Sequence, residues 1–236
     1  MPARFYAESY SPWCERARWA LQHHGIPFRE IEQKPLLAEV TLRLLLGTLE
    51  RVTVPLFMDG NTHLVSSDAI ARHGDLVGTG KPLFPVGHEA EIASWMNTSE
   101  LVMVNGRAQL LPRIAASRDA RREGAPMAWM TTIGVRHLMR KYAVRAADGP
   151  IHDAESRRAL DRVRLALGQR DHLVGESLTY ADITIAAALQ FVRPVDDRWI
   201  ELRPATRIAW TNEPLAKAYA DVLDWRDRLY AKCRRT

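Results

Sequence analysis

The chain has 236 residues, enough for one large domain or two modest ones. Its composition, 47% hydrophobic and 26% charged, predicts a folded protein with a sizeable core. A net charge of +5 is mildly basic, and the arginine runs contain few aromatics, so we expect no nucleic-acid partner. No stretch approaches the ~20 apolar residues of a membrane span, and charged residues interrupt any secretory signal. Only two cysteines are present, which favours a reducing compartment, so we expect a cytoplasmic protein. Because no apolar stretch is long enough, we expect no membrane partner.

The first 80 residues mix short strands with helices. Alternating residues predict a strand over 4–8, and apolar residues at helical spacing predict a helix after Ser11, with Pro12 in its first position. A second strand is predicted over 28–32 and a short helix over 36–46. Strands over 52–58 and 62–65 flank the turn signal Asp59-Gly60-Asn61 and predict a hairpin, followed by a helix that starts at Ser66. The strand–helix–strand order predicts a parallel pair.

The rest of the chain predicts helices only. A stretch rich in Gly and Pro over 78–85 indicates a linker, so we expect domains over 1–80 and 88–236 with the boundary in 78–88. Helices are predicted over 89–107, 126–147, 154–169, 183–192 and 214–230. Thr179 and Asp182 have capping-box spacing before the run 183–192, which is apolar all round and therefore predicts a central buried helix.

Ser11 is the first candidate functional residue. It is predicted at a strand-to-helix turn, where free N–H groups and a partial positive charge favour an anion such as a thiolate. Taken alone, the same position is more typical of a residue that only caps the helix. Cys14 could be a nucleophile near the helix N-terminus, but its spacing with Ala17 and Leu21 places it on the core face. Tyr10 is a further candidate hydroxyl.

Pro55 interrupts an otherwise good strand pattern. It indicates either an ordinary trans proline on an edge strand or a cis Val54-Pro55 bond that exposes the Val54 backbone to a ligand. The eight histidines show no metal-ligand spacing, so we expect no metal site. Four residues are candidates for a substrate pocket, although their spacing is equally typical of core: Met96, Met103, Arg107 and Trp199.

Four motifs occur in an order and spacing that resemble the cytosolic glutathione S-transferase superfamily, with a theta-like first helix of the serine type. They are Ser11-Pro12-Trp13-Cys14, Val54-Pro55, Ser66-Ser67-Asp68-Ala69-Ile70 and Thr179-x-x-Asp182. The resemblance covers nearly the whole chain. It implies a thioredoxin-like N-terminal domain, of α/β class, followed by an all-helical C-terminal bundle.

The resemblance also implies an activity and a site. Ser11 would donate a hydrogen bond to the sulfur of glutathione, the co-substrate, and the thiolate would attack a small apolar electrophile in detoxification. The Val54 backbone, beside a cis Pro55, would pair with the cysteinyl amide, and Ser67, beside Ser66, would hold the γ-glutamyl carboxylate. The family resemblance further implies a homodimer.

Two positions depart from the family pattern. Ser66 replaces an acidic residue that helps bind the glutathione ammonium, and Thr53 replaces a lysine. Arg51 or Lys34 is a possible substitute in binding the glycyl carboxylate. These departures motivate an alternative, a binding or structural protein of the same fold with weak or no catalysis. A thiol-disulfide oxidoreductase acting through Cys14 is disfavoured, because Ser11 stands where the exposed first cysteine is needed.

Overall fold

A computed structural model describes residues 2–34, 38–123, 128–168 and 170–235. Its N-terminal part contains four strands and three helices. They are β1 (Ala3–Ala7), α1 (Pro12–His23), β2 (Phe28–Glu32), α2 (Ala38–Leu46), β3 (Leu56–Asp59), β4 (Thr62–Leu64) and α3 (Ser67–Val77). The strands form one sheet in the order β2-β1-β3-β4, in which β1 is parallel to β2 and antiparallel to β3. This is the predicted thioredoxin-like arrangement, with the predicted hairpin formed by β3 and β4.

The helices of this part cover both faces of the sheet. Because successive residues of a strand point to opposite faces, Phe5 packs with α1 and α3, whereas Tyr6 packs with α2. The first cluster includes Cys14 and Ile70, and the second includes Leu42. This packing holds α1 against the sheet, and a short turn connects the end of β1 to the N-terminus of α1.

The C-terminal part is helical, and no strand follows Leu64 among the described residues. Its helices are α4 (Glu89–Ala116), α5 (Arg118–Glu123), α6 (Ala128–Lys141), α7 (Gly149–Leu167), α8 (Tyr180–Ala188), α9 (Pro204–Trp210), α10 (Glu213–Ala218) and α11 (Ala220–Cys233), with 3₁₀ turns at Ala146–Asp148 and Leu189–Phe191. All nine residues of α8 are buried, as its apolar sequence predicts. No helix in the described ranges is both long and apolar enough to cross a membrane.

Several predicted boundaries are wrong. The strand predicted over 52–58 begins only at Leu56, because Pro55 has no N–H to donate to a sheet. The helix predicted over 89–107 continues to Ala116. The region 126–147 holds α6 and a separate 3₁₀ turn, and the region 214–230 holds α10 and α11, which meet at Tyr219. Residues 36–37, 126–127 and 169, to which the predictions extend, lie outside the described residues.

A buried ionic cluster ties α1 to the far end of the chain. The Glu15 carboxylate is fully buried and accepts hydrogen bonds from Arg18 Nη1 at 2.6 Å and Arg234 Nε at 2.8 Å. Arg18 also pairs with Glu30 at 2.5 Å. Burying a carboxylate is tolerated only when its charge is compensated, so the helix that carries Ser11 depends on a residue that follows α11.

Candidate functional site

Ser11 lies between β1 and α1, as predicted, and is 7% exposed. Its N–H donates to the Glu8 carbonyl at 3.1 Å, and its carbonyl accepts from the Glu15 N–H at 2.8 Å. The residue occupies the N-cap position, with Pro12 following as the first helical residue, yet its side chain makes no capping hydrogen bond. The hydroxyl is therefore not used to satisfy the first turn of α1.

Cys14 faces the core and is fully buried. Burial raises the pKa of the Cys14 thiol to about 12, although hydrogen bonds from the Glu8 backbone and the Ser11 side chain act in the opposite direction. The Glu8 N–H lies 3.4 Å from Cys14 Sγ. A thiol with this pKa stays protonated at neutral pH, so Cys14 is a packing residue, which weighs against a redox function for it.

Tyr10 and Glu8 form a hydrogen-bonded pair beside the Ser11 turn. Burial raises the pKa of Glu8 to about 7, and repulsion from Glu32 adds to this, whereas the hydrogen bond from Tyr10 and the charge of Lys141 lower it. Burial and the neighbouring carboxylate raise the pKa of the Tyr10 phenol well above its usual value. Because its proton is shared with Glu8, Tyr10 is a poorer donor to a thiolate than Ser11.

The Val54-Pro55 peptide bond is cis, which agrees with one of the two sequence interpretations. Val54 is half-buried and Pro55 is buried, immediately before β3. Within the part of the chain that the structure describes, the Val54 N–H and C=O form no backbone hydrogen bond. Both groups are therefore available to the main chain of a peptide ligand.

The two serines at the start of α3 have different partners. Ser66 is the N-cap, because its Oγ accepts from the Ala69 N–H at 3.2 Å while its hydroxyl donates to Asp68 Oδ1 at 2.8 Å. Ser67 is 3% exposed, and its Oγ accepts a hydrogen bond from Arg16 Nε at 2.5 Å. The N-terminus of α3 thus has a buried guanidinium on one side and the carboxylate of Asp68 in its first turn.

Arg16 connects this helix end to α4. It is 7% exposed, and its Nη2 donates to Glu100 Oε1 at 2.5 Å, while its Nη1 is buried without a hydrogen-bond partner. Glu100 Oε2 also accepts from Trp13 Nε1 at 3.1 Å. The same carboxylate therefore holds two residues of α1 in place and brings a negative charge near the position where Ser66 replaces an acid.

Aromatic rings form a continuous wall next to Ser11. Trp13 contacts Phe191 edge-on at 5.9 Å, Phe191 stacks on Trp210 at 5.2 Å, and Tyr10 contacts Trp210 edge-on at 6.0 Å. Gly106 permits this packing, because a Cβ there would lie 2.4 Å from Phe191 Cβ. Tyr10 and Trp13 are partly exposed and offer apolar planar surfaces beside the candidate thiol site, whereas Phe191 and Trp210 lie buried behind them in the helical core.

The four candidate pocket residues do not lie together in the structure. Met103 is fully buried in the helical core, Met96 packs against that core, and Trp199 packs on Tyr230 with ring centroids 5.9 Å apart. Arg107 alone lies at the aromatic wall, with its Cζ 5.0 Å from the Trp13 ring centroid. No group of three or more metal-ligating side chains is found within the described ranges.

Two family models match the chain. The glutathione S-transferase N-terminal domain matches residues 5–75, and the glutathione S-transferase C-terminal domain matches residues 119–228. The chain belongs to the cytosolic glutathione S-transferase superfamily. It is a glutathione S-transferase-like enzyme with the two-part fold of that superfamily. No curated protein matches it significantly in sequence.

Solved glutathione S-transferases share this fold at low sequence identity. GSTFuA2 of Phanerochaete chrysosporium is 16% identical with a TM-score of 0.70, and the match covers 100% of this chain and 99% of that one. A Methylobacterium radiotolerans enzyme in complex with glutathione sulfonate is 15% identical, with a TM-score of 0.66 and coverage of 98% and 92%. A Methylobacillus flagellatus enzyme with glutathione bound is 14% identical, with a TM-score of 0.64 and coverage of 98% and 95%. Identities this low show the fold alone.

Sequence reasoning missed two residues that contact the candidate site residues of this glutathione S-transferase-like chain, Arg16 and Glu100. The helical pattern placed Arg16 on a face away from the core, yet it is buried between α1, α3 and α4. A faint signal existed, since an arginine in the first turn of a helix is unfavourable beside the positive end of the dipole and needs a compensating acid. That acid, Glu100, is 84 residues away and carries no local signature.

Proposed function

We propose that the protein is a glutathione transferase in which Ser11 stabilises the glutathione thiolate for attack on a small apolar electrophile. The observation that carries this proposal is the Ser11 hydroxyl, which occupies a capping position without capping and has the buried, protonated thiol of Cys14 as its neighbour. A bound thiolate would accept its hydrogen bond and lie near the positive end of α1. The hydrogen bond lowers the thiol pKa and so raises the fraction of reactive thiolate at neutral pH.

The rest of glutathione fits the surrounding groups. The unpaired Val54 N–H and C=O suit its cysteinyl amide, next to Pro55. Its γ-glutamyl carboxylate suits the start of α3 at Ser66 and Ser67, where the unpartnered Nη1 of Arg16 supplies a further donor. Glu100, 42% exposed, is the acid we propose for the ammonium group in place of the residue lost at Ser66.

The second substrate site follows the aromatic wall. The partly exposed rings of Tyr10 and Trp13, backed by the buried rings of Phe191 and Trp210, support an apolar body for the electrophile. Arg51, which is exposed, is the residue we propose for the glycyl carboxylate in place of Thr53. Glutathione would therefore extend from the start of α3 towards the loop before Pro55.

We further propose a cytoplasmic homodimer that acts in detoxification, with domains 1–80 and 88–236. The family supports the dimer, as do Leu101 and Val104, which are 50% and 45% exposed on α4. A symmetric pair would bury the same patch on both subunits. A monomeric mass in light scattering at micromolar concentration would contradict the dimer.

Calorimetric titration with glutathione tests the central proposal. We expect binding in the micromolar to low-millimolar range, followed by conjugation of 1-chloro-2,4-dinitrobenzene in an absorbance assay. The alternative is a binding or structural protein with weak or no catalysis, and the bond between Ser67 Oγ and Arg16 favours it because that hydroxyl is already engaged. Absence of glutathione binding would support this alternative and refute the transferase.

A further inference from the structure

Arg107 is a cation on α4 that lies near two aromatic rings, one on α1 and one directly after α6. Its Cζ lies 3.6 Å from the ring centroid of Tyr142, which follows α6, and 5.0 Å from that of Trp13. Trp13 is two residues beyond Ser11 in the chain. The guanidinium therefore contacts the first turn of α1, close in sequence to the proposed thiolate position, at the end of the aromatic wall.

The charge of Arg107 is not neutralised by the protein. No carboxylate lies within ion-pair distance of it among the described residues, and its Nε is buried without a hydrogen-bond partner. The nearest acid that attracts it, Glu100, is already paired with Arg16. Aromatic faces compensate a buried cation only in part, and burial accordingly lowers the pKa of Arg107.

Two other cations lie near the Tyr142 ring and add to the positive potential around Arg107. The Arg51 Cζ lies 5.9 Å from the centroid of the same Tyr142 ring, and its positive charge repels that of Arg107. Lys141 is 5.8 Å from that ring, but it pairs with Glu39 at 2.8 Å. Among the described residues, neither the exposed guanidinium of Arg51 nor the half-buried one of Arg107 forms an ion pair, although the charge of Glu39 acts on Arg51.

We propose that the electrophile carries a carboxylate or a similar oxyanion, which Arg107 binds while the aromatic wall holds its planar apolar body. This inference rests on the proposed transferase function and specifies its second substrate. A guanidinium fits a carboxylate with two parallel hydrogen bonds. Arg107 is thereby a residue that determines specificity, and it does not act on the sulfur.

The reaction with an aryl halide is balanced without any further reactant. The glutathione thiolate forms a C–S bond to the ring carbon that bears chlorine, the C–Cl bond breaks, and chloride leaves with the bonding electron pair. The thiol proton passes to solvent. The group para to the reacting carbon changes the intrinsic reactivity of the ring, so binding by the protein is measured as the enzymatic rate constant divided by the rate constant of the uncatalysed reaction with glutathione.

A matched pair of electrophiles tests the proposal. We compare 4-chloro-3,5-dinitrobenzoate with 4-chloro-3,5-dinitrobenzamide at saturating glutathione, each corrected for its uncatalysed rate. The wild-type protein should prefer the carboxylate by about 10- to 100-fold in kcat/KM, as expected for a hydrogen-bonded charge pair. Equal use of both compounds would overturn the inference and leave the transferase proposal intact, whereas no reaction with either compound would overturn both.

Variants assign the preference to one residue. Arg107→Gln should abolish it mainly through a higher KM for the carboxylate, Arg107→Lys should retain part of it, and Arg158→Gln, which removes a charge on the exposed face of α7, should keep it in full. Arg51→Gln should instead raise the KM for glutathione with both electrophiles. If Arg107→Gln raises the KM for glutathione with both compounds and leaves the preference unchanged, Arg107 serves glutathione and the inference is wrong.

Discussion

Replacing Ser11 with alanine removes one hydroxyl and leaves the backbone bonds of the turn, to Glu8 and Glu15, in place. A hydrogen bond to a charged acceptor contributes ~1.5–3 kcal/mol. Since one pKa unit corresponds to about 1.36 kcal/mol, the pKa of the bound glutathione thiol should rise by roughly one to two units in Ser11→Ala. Turnover at neutral pH should then fall about 10- to 100-fold, because the thiolate fraction falls by that factor.

The stability of the same variant distinguishes thiol activation from helix capping. Because the Ser11 side chain makes no capping bond, Ser11→Ala should reduce the free energy of unfolding by less than the ~1 kcal/mol of a lost cap. Ser66→Ala is the matched control, since Ser66 does cap α3 through the Ala69 N–H. Its loss should destabilise the protein by ~1 kcal/mol.

The assay is the thiolate absorbance of bound glutathione as a function of pH, in the wild type and in Ser11→Ala. Glutathione affinity should remain nearly the same, because the hydroxyl acts on the sulfur alone. An unshifted thiol pKa in the wild type would refute the reasoning. The reasoning would also be refuted if Ser11→Ala lowered the free energy of unfolding by as much as the loss of a helix cap does and left the thiol pKa unchanged.

Three further predictions follow from buried charges and the buried thiol. Burial raises the pKa of Glu8 from 4.5 to about 7, so folding binds a proton and stability falls as pH rises through that window. At about pH 8, urea unfolding should therefore show Glu8→Gln more stable than the wild type by up to about 3 kcal/mol, with no gain near pH 4. Cys14, whose pKa burial raises to about 12, should react with a chromogenic disulfide reagent only after unfolding. Glu15→Gln should destabilise by ~3 kcal/mol or more in urea, since it leaves the buried Arg234 without its acid, whereas Arg235→Gln, at an exposed position, should change stability by less than ~0.5 kcal/mol.

Local rules predicted the parts of the site that depend on neighbours in sequence. Proline in the first helical position marked the start of α1, and the capping-box spacing of Thr179 and Asp182 marked α8, where the Thr179 N–H donates to Asp182 Oδ2 at 2.8 Å. The periodicity of Cys14 with its apolar neighbours placed it in the core, where it lies fully buried. In each case the controlling contact lies within a few residues.

Contacts between distant residues were beyond the same rules. The resemblance implies that Ser67 holds the γ-glutamyl carboxylate, and no local rule indicates that Arg16, 51 residues away, donates a hydrogen bond to its hydroxyl. Likewise, helical spacing does not predict that Arg107 contacts the ring of Tyr142 or that Met103 is buried in the core. Such outcomes depend on how helices of the two parts pack, and one sequence contains no direct signal for that packing.

The buried pair between Glu15 and Arg234 has a consequence for the order in which the protein can fold. The two residues are 219 positions apart, so during synthesis α1 leaves the ribosome long before its second cationic partner exists. Until then Glu15 has only Arg18 to offset its charge, and a carboxylate with incomplete compensation favours solvent over a closed core. The nascent N-terminal part should therefore keep α1 loosely docked, and the surface that carries Ser11 should become rigid only when translation has passed α11.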